Sequence, residues 1–196
     1  MVPPPKELAE IYVAIWQKAV DTQMHFNEMS VKSRQLGLAF VAAALGIGVV
    51  LLSRGSDFAV TQQFWILRFE IHVSVIIVLA AAFALVSVSI LDLNVYHKML
   101  RGAVTFGEDF EENYMKQIFL LEKGMTQAIS HFSRFQDARV TVEGTKYNYE
   151  GRVRIPAEIK IRQFYRNSIG VLLISAVVLL LLTGHFGLVT AATETR

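Results

Sequence analysis

Three long apolar runs dominate the pattern of hydrophobic and polar positions along the chain. They cover residues 36–52, 71–91 and 168–189, and their only titratable side chains are His72 and His185. Each run has roughly the 17 to 25 residues that a helix needs to cross the hydrocarbon core of a bilayer. Buried helices of a soluble core are the alternative, but three such runs in 196 residues favour membrane spans. The pattern therefore predicts three transmembrane helices, here called span one, span two and span three.

The segment before span one has the pattern of an amphipathic helix. Apolar or small side chains recur at spacings of three and four residues: Leu8, Ile11, Ile15, Ala19, Thr22, Phe26 and Met29. No Gly or Pro separates this heptad-like, coiled-coil-type stripe from span one, so residues 1–35 are predicted to be a cytoplasmic amphipathic helix that continues into the span. A helix lying on the membrane surface is the alternative, but acidic residues balance the basic ones and reduce its attraction to anionic lipid.

The segment after span two repeats this design. Its stripe comprises Phe106, Phe110, Tyr114, Ile118, Leu121, Met125, Ile129, Phe132 and Phe135. Residues 92–136 are therefore predicted to be a helical extension of span two, in which Gly124 marks either a kink or a break between two helices. An acidic patch, Glu108, Asp109, Glu111 and Glu112, is expected to complement the dipole of a helix that begins near Phe106. A cation site is the less favoured alternative, since adjacent acids on a helix point in different directions.

Residues 137–156 change to a period of two. Valine, tyrosine and isoleucine alternate with polar residues around two Glu-Gly turns, which predicts a β-meander or an ordered loop. Pro156 suits the first turn of a following helix, so residues 157–189 are predicted to form a juxtamembrane helix and span three. Residues 53–70 are then a short outer connection, and residues 190–196 an outer tail. The expected fold is an all-α integral membrane protein whose three transmembrane helices continue into long cytoplasmic helices, with a small β-meander.

The distribution of basic residues orients these spans. Most Lys and Arg residues lie before span one or between spans two and three, while the first connection holds only Arg54 and Arg68 and the tail only Arg196. The positive-inside rule therefore places the N-terminus in the cytoplasm and the C-terminus outside. The N-terminal segment lacks the pattern of a cleavable signal and is expected to remain in the mature protein.

Composition and motifs give no support for catalysis. The chain has no cysteine, which excludes disulfides and thiol chemistry within it. Its histidines show no metal-ligand spacing, and it contains no phosphate-binding Gly loop, Gly-x-Ser-x-Gly elbow or metalloprotease motif. We therefore expect a protein that is not an enzyme and that needs no cofactor or metal.

One basic and aromatic set is a candidate binding site. A phosphate-bearing ligand such as a nucleotide or short oligonucleotide could be held by charge and ring stacking. Topology and lipid headgroups alone would also place basic residues beside the cytoplasmic face of a membrane, and this second interpretation is favoured. The set comprises Tyr147, Tyr149, Arg152, Arg154, Lys160, Arg162 and Arg166.

Small residues in the spans predict close helix packing, within one chain or between copies. If copies surround a pore, the same faces and several serines would make a narrow, weakly polar conduit. The candidate packing or pore-lining residues are Ala42, Gly46, Ala44, Gly48, Ser74, Ala80, Ala84, Ser87 and Ser89. At the outer edge of span two, Arg68 and His72 are expected to share a helix face, with Glu70 turned away. Interfacial snorkelling of these side chains is favoured over a proton or ion site.

Two stretches carry a resemblance to a known group of proteins. They are "YVAIWQKAVDTQMHFNEMSVKSRQLGLAFVAAALG", which enters span one, and "LDLNVYHKML", which follows span two. Their layout resembles that of the small multi-span bacterial membrane effectors of anti-phage defence operons, the SLATT-like proteins. The resemblance implies a homo-oligomer that disrupts or depolarises the inner membrane when a cytoplasmic signal, often a nucleotide or nucleic-acid product, changes its state. It implies no catalytic residues.

The function expected on these grounds is a homo-oligomeric channel- or pore-like membrane effector gated from the cytoplasm. A helix shared between water and bilayer would transmit movement of the cytoplasmic helices to the spans. The alternative is a membrane adaptor or scaffold subunit that recruits a cytoplasmic protein through its heptad-like faces. A secondary transporter is less favoured, because the chain has no clear inverted repeat.

Overall fold

The computed structural model describes residues 6–54, 59–64, 67–119, 121–144 and 146–188. This part of the chain is mostly helical, with two small β-sheets. It divides into two compact units, which are described separately. Residues 6–33 and 90–164 belong to the first, here called the polar unit, and residues 34–89 and 165–188 belong to the second, the apolar unit.

The first helix, α1, runs from Lys6 to Leu52 without interruption. Its 47 residues include both the amphipathic arm and the whole of predicted span one. No proline occurs in this stretch, and Gly37, Gly46 and Gly48 lie where the apolar side chains around them favour a helix. The predicted continuity of the arm with the apolar run is therefore confirmed as a helix.

A second helical run extends from Val73 to Phe119 and contains two wider, π-type turns. In chain order it comprises α2 (Val73–Leu91), the first π-turn (Asp92–Tyr96), α3 (His97–Phe110), the second π-turn (Glu111–Met115) and α4 (Lys116–Phe119). Each π-turn begins at an acid, Asp92 or Glu111, that is almost completely buried. Such turns insert one residue into a helix and are found often at functional sites.

The acidic patch does not lie at the start of a helix. Phe106 is in the interior of α3, so the predicted helix start near this residue is wrong. The helix continues through the acidic patch. Gly102 and Gly107 weaken the helical preference here but do not break the helix. After α4 the chain turns, and α5 (Met125–Arg134) begins with Gly124 at its N-cap. Of the two alternatives for Gly124, the structure therefore shows the break.

The polar unit ends in a β-hairpin of two strands. Strand β3 (Arg139–Glu143) pairs with β4 (Lys146–Glu150) in antiparallel register, and Gly144 takes a φ of 63° in the turn. This conformation is readily available only to glycine among common residues. The alternating pattern at 153–155 forms no third strand. It makes one bridge, between Phe135 and Arg154, so the predicted meander is a hairpin.

The apolar unit contains a sheet that the sequence pattern did not predict. Its strands are β1 (Ala59–Phe64), β2 (Leu67–His72) and β5 (His185–Leu188), antiparallel in the order β1-β2-β5. Helix α6 (Ala157–Thr183) therefore ends before the predicted limit at residue 189, and α2 starts two residues after the predicted limit at residue 71. Short apolar stretches fit a strand as well as a helix, and pairing between distant segments decides between them here. The predicted tail at residues 190–196 lies outside the described residues.

Within the described ranges, three helical stretches are long and apolar enough to cross a membrane: α1, the run Val73–Phe119, and α6. Their apolar windows correspond to spans one, two and three. This finding supports the assignment of the chain as a membrane protein.

The close packing of Gly124 against Glu111 gives a first testable prediction. A Cβ at Gly124 would overlap the carboxyl group of Glu111, whereas a Cβ at Gly102 would meet no atom within 4 Å. Gly124→Ala should therefore destabilise the protein by about 2 kcal/mol through overpacking. Gly102→Ala should stabilise it by up to about 1 kcal/mol, because alanine is the better helix former.

Thermal unfolding of the purified protein in detergent, followed by circular dichroism, measures both effects. Equal unfolding midpoints for the two variants would contradict the packing of Gly124 against Glu111.

Candidate functional site

The predicted basic and aromatic set is dispersed over exposed positions. Arg152, Arg154, Lys160 and Arg162 are exposed in the polar unit, and Arg166 is exposed in the apolar unit. The guanidinium of Arg162 lies 2.6 Å from the carboxylate of Glu158 one turn earlier in α6. Surface pairs of this kind contribute little to stability. These side chains are thus available to solvent, and their binding role stays a prediction.

The two tyrosines of this set have different surroundings. Tyr147 is 51% exposed on β4. Tyr149 packs against α5, with its ring centroid 5.4 Å from that of His131 and 5.1 Å from Nζ of Lys123. The cation beside its ring is placed for a cation–π contact. Tyr149 therefore helps to attach the hairpin to α5, and Tyr147 has the more open ring for stacking with a ligand.

Asp137 joins the segment just before the hairpin to the segment just after it. Its carboxylate accepts hydrogen bonds from the backbone N–H groups of Arg152 and Val153, at 2.8 to 3.1 Å. These donors, the N–H of Val153 above all, lower the pKa of Asp137 from its ordinary value. The N–H of Gln136 adds a bond of 2.9 Å to the carbonyl of Val153. This arrangement fixes the backbone that carries Arg152 and Arg154.

The clearest built arrangement in the polar unit surrounds Glu111, which sequence reasoning did not single out as a junction. Its side chain is 2% exposed and accepts three hydrogen bonds. Nε1 of Trp16 on α1 and the N–H of Thr126 donate to Oε1, each at 2.8 Å, and the N–H of Gln127 donates to Oε2 at 2.9 Å. Glu111 therefore joins α1, the second helical run and the N-terminus of α5.

Glu111 supplies the capping acceptor that α5 lacks in its own sequence. The N-cap residue, Gly124, has no side chain to accept from the first free N–H groups of the helix. A carboxylate near a helix N-terminus also interacts favourably with the helix dipole. Gln127 completes the cap, because its Oε1 accepts from the N–H of Gly124 at 3.1 Å.

The second buried acid, Asp92, makes a comparable contact with α1. Oγ of Ser30 donates a hydrogen bond to its carboxylate, and both side chains are almost fully buried. Between the two acids, Nε2 of Gln23 donates to the backbone carbonyl of Ala103 at 3.2 Å. Trp16, Gln23 and Ser30 are spaced by seven residues, so they lie along one side of α1. That spacing is the sequence signal by which this polar seam could have been found.

The predicted apolar stripe of the arm packs only in part, because Thr22, Phe26 and Met29 are half-buried. Of its seven members only Ala19 is buried, while Leu8, Ile11 and Ile15 are exposed. The inward side also carries Tyr12, whose ring lies edge-on to Phe110 and Tyr114 at 5.8 and 5.6 Å. The prediction followed apolar periodicity, whereas the packed side also includes aromatic and polar residues.

The acids of the patch have separate partners. Glu108 pairs with Arg134 at 2.8 Å, Asp109 accepts from Asn113 at 2.8 Å, and Glu112 pairs with Lys116 at 3.0 Å. Hydrogen bonds from Gln127 and Lys116 lower the pKa of Glu112. In the described ranges no three His, Asp or Glu side chains are grouped so that they could hold a metal ion.

Only one of the predicted small-residue faces of α1 packs inside the apolar unit. Ala44 and Gly48 are buried, and a Cβ at Gly48 would lie 3.9 Å from that of Ser74. Ala42 and Gly46 are exposed. Contacts between copies would use this second face, so it remains the candidate for assembly.

The residues of α2 that were predicted to pack or to line a pore lie mostly on the outside of the apolar unit. Ala80 and Ser87 are exposed, and Ala84 and Ser89 are partly buried. The buried side instead consists of Ser74, Val75, Val78, Ala81, Ala82 and Leu85. The serine hydroxyls of this helix have partners: Ser87 donates to the carbonyl of Phe83, Ser89 to that of Val86, and Ser74 is bonded to Nδ1 of His72 at 2.7 Å. Their role in lining a pore stays a prediction.

The prediction that Arg68 and His72 share a helix face is wrong. Both residues lie on strand β2, where a spacing of four residues does not have its helical meaning. His72 is buried, and its bond to Ser74 joins the end of β2 to the first turn of α2.

Comparison of the chain with protein-family models, with curated proteins and with solved structures finds no match.

The Asp137 junction predicts a local pH effect. Because folding lowers the pKa of this carboxyl, its contribution to stability is present at neutral pH and is lost as the pH falls below the ordinary value of 3.8. Between about pH 5 and about pH 3, amide hydrogen exchange at Arg152 and Val153, corrected for intrinsic rates, should therefore become faster. Asp137→Asn should exchange faster at both pH values and lose most of this dependence.

Glu143→Gln, at an exposed acid of the same hairpin, serves as the control and should retain the wild-type response. A pH response that survives unchanged in Asp137→Asn would disprove the assignment to Asp137.

Proposed function

We propose that this protein is a homo-oligomeric, channel- or pore-like effector of the bacterial inner membrane, gated by a signal that reaches its cytoplasmic part. Anti-phage defence is the setting that its resemblance to SLATT-like proteins suggests. The observation that carries the proposal is α1. A single unbroken helix of 47 residues contains both the polar seam of one unit and the apolar run of the other.

The exposed apolar surface of the candidate spans supports assembly. Only 17%, 33% and 11% of the apolar windows of α1, the run Val73–Phe119 and α6 are buried within the chain. Lipid covers part of such a surface, and a narrow conduit needs further helices to enclose it. Several copies of a chain with three spans provide those helices.

The exposed apolar side chains of the polar unit support assembly independently. Leu8, Ile11 and Ile15 on α1 are 37%, 55% and 38% exposed, and an apolar stripe on α5 is also exposed. Contiguous apolar patches of this type in water generally mark interaction sites. In the proposed assembly, neighbouring copies cover them.

We infer the orientation from the positive-inside rule. The polar unit is cytoplasmic and the connection near Arg54 is outside. In this arrangement the exposed basic residues lie on the side where a nucleotide or oligonucleotide signal would arise, or where anionic headgroups would contact them. No catalytic step, cofactor or metal enters the proposal.

The absence of cysteine makes the orientation directly testable. Single-cysteine variants Arg54→Cys and Asn113→Cys introduce thiols at exposed positions. In intact spheroplasts, a membrane-impermeant maleimide should label Arg54→Cys, and it should label Asn113→Cys only after permeabilisation. The reverse labelling pattern would place the polar unit outside and contradict the proposed gating from the cytoplasm.

Mechanical coupling through α1 gives the test of function. A short Gly-rich insertion between Arg34 and Leu36 should interrupt the helix, because glycine is a poor helix former. The variant should still insert into the membrane, but its membrane permeabilisation should fall to the level of cells without the protein. Dye entry into expressing cells measures this loss, and membrane fractionation measures insertion.

The matched control carries the same insertion at Gly144, in the exposed turn between β3 and β4. It should permeabilise cells as the wild type does. Unchanged permeabilisation by the α1 variant would count against transmission through this helix.

The second candidate is a membrane adaptor whose cytoplasmic helices recruit another protein. The same exposed residues of α1 and α5 favour it, since a foreign helix would cover them equally well. Retention of a cytoplasmic protein by the purified full-length chain, together with no ion flux across liposomes, would favour the adaptor.

A further inference from the structure

Helix α5 is docked in the polar unit with its hydroxyl-bearing side inward and its apolar side outward. Thr126 and Ser130 are both 3% exposed, while Met125, Ile129 and Phe132 are 45%, 61% and 50% exposed. An amphipathic helix at the surface of a protein ordinarily buries its apolar stripe. The docked orientation of α5 therefore gains little from the hydrophobic effect.

Two hydroxyl groups on the inward side of α5 also have unsatisfied hydrogen-bonding capacity. Oγ1 of Thr126 and Oγ of Ser130 are buried without a hydrogen-bond partner in the described part of the chain. Thr126 lies beside Gly107 of α3, where an added Cβ would approach its hydroxyl to 3.1 Å. Burying a hydroxyl without a partner costs stability. Undocking of α5 would return both hydroxyls to water.

The contacts that hold α5 in this orientation are polar and concentrated at its N-terminal end. The Glu111 carboxylate accepts from the N–H groups of Thr126 and Gln127, at 2.8 and 2.9 Å. Farther along, the ion pair of Arg134 with Glu108 has partly exposed side chains and is worth less than the buried bonds. At the same end, Nε2 of Gln127 donates to the exposed carboxylate of Glu112 at 2.8 Å, so Glu111 supplies the buried part of the contacts that hold α5 in place.

We propose that Glu111 is a latch and that α5 is a switch helix, whose release from this carboxylate is the conformational change built into the polar unit. Oε1 of Glu111 accepts from both Thr126 of α5 and Trp16 of α1. Displacement of α5 therefore changes the hydrogen bonding of the helix that continues into span one. A cytoplasmic signal that draws α5 away acts on α1 through this shared oxygen. The role as a gate rests on the proposed function, whereas the latch itself does not.

Hydrogen exchange of the full-length protein in nanodiscs, read by mass spectrometry, tests the latch. Glu111→Gln keeps the size of the side chain but places an amide N–H group against N–H donors, so at least one bond is lost. Exchange of the α5 amides should rise by about tenfold or more, as expected for the loss of a charge-assisted bond. Exchange of α1 between residues 20 and 30 should change much less.

Two further variants make the result specific. Asp109→Asn changes an exposed acid two residues away, whose bond is to Asn113 of the same helical run, and it should leave α5 exchange as in the wild type. Trp16→Phe removes one of the three donors while retaining an aromatic ring, so it should raise α5 exchange by a smaller factor than Glu111→Gln does.

Unchanged α5 exchange in Glu111→Gln would overturn the latch, as would an equal rise in Asp109→Asn. A uniform rise over the whole polar unit would also overturn it, because this would show Glu111 to be a general structural support. A rise confined to α5, with the smaller rise in Trp16→Phe, supports it.

Ion flux through liposomes containing the same proteins separates the latch from the proposed function. Selective release of α5 with no flux from any variant would leave the latch standing and reject the channel. Flux from the wild type with unchanged α5 exchange in Glu111→Gln would support the channel and reject the latch. Selective release accompanied by altered flux supports both.

Discussion

One buried carboxylate, that of Glu111, joins α1, the second helical run and α5 in the polar unit. Glu111 is surrounded by N–H donors from α1 and from the first turn of α5, and the turn that carries it is itself a widened part of a helix. A carboxylate removed from water is costly unless its acceptor sites are used, and here three donors at 2.8 to 2.9 Å use them. Removal of any one partner leaves polar groups unpaired in the interior. This mutual dependence explains why Gly124 has no space for a side chain and why α5 begins where it does.

In the proposed function, the continuity of α1 links this junction to a candidate membrane span. In α1 the backbone hydrogen bonds pass without a break from the polar seam of Trp16, Gln23 and Ser30 into an apolar stretch that has the length and composition of a membrane span. A helix is stiff over such lengths because each residue is bonded to the next turn. In the proposed mechanism, polar contacts on the first half of α1 influence its second half, as a flexible linker would not allow. The exposed apolar surfaces in both units are consistent with assembly of several copies.

The sequence predicted the long elements and missed the contacts between them. The apolar runs, the continuity of α1, an interruption at Gly124 and the extended pattern of the hairpin strands all follow from periodicity and from glycine chemistry, which act locally. The pairing of β2 with β5 in the sheet of the apolar unit was missed because these strands are more than a hundred residues apart and their pairing leaves no local pattern. The π-turns and the roles of Asp92 and Glu111 were missed for a similar reason. A buried acid is recognised only when its donors, such as Ser30 or Trp16, are known to lie opposite it.

The mass of the full-length protein in lipid nanodiscs shows directly whether several copies of this chain build one membrane assembly. Native mass spectrometry measures this mass and counts the copies without any functional assay. A homo-oligomeric pore should give one discrete multiple of the 22.0 kDa chain, with enough copies to surround a conduit. A monomer, observed over the concentration range in which the protein inserts into membranes, would contradict this proposal.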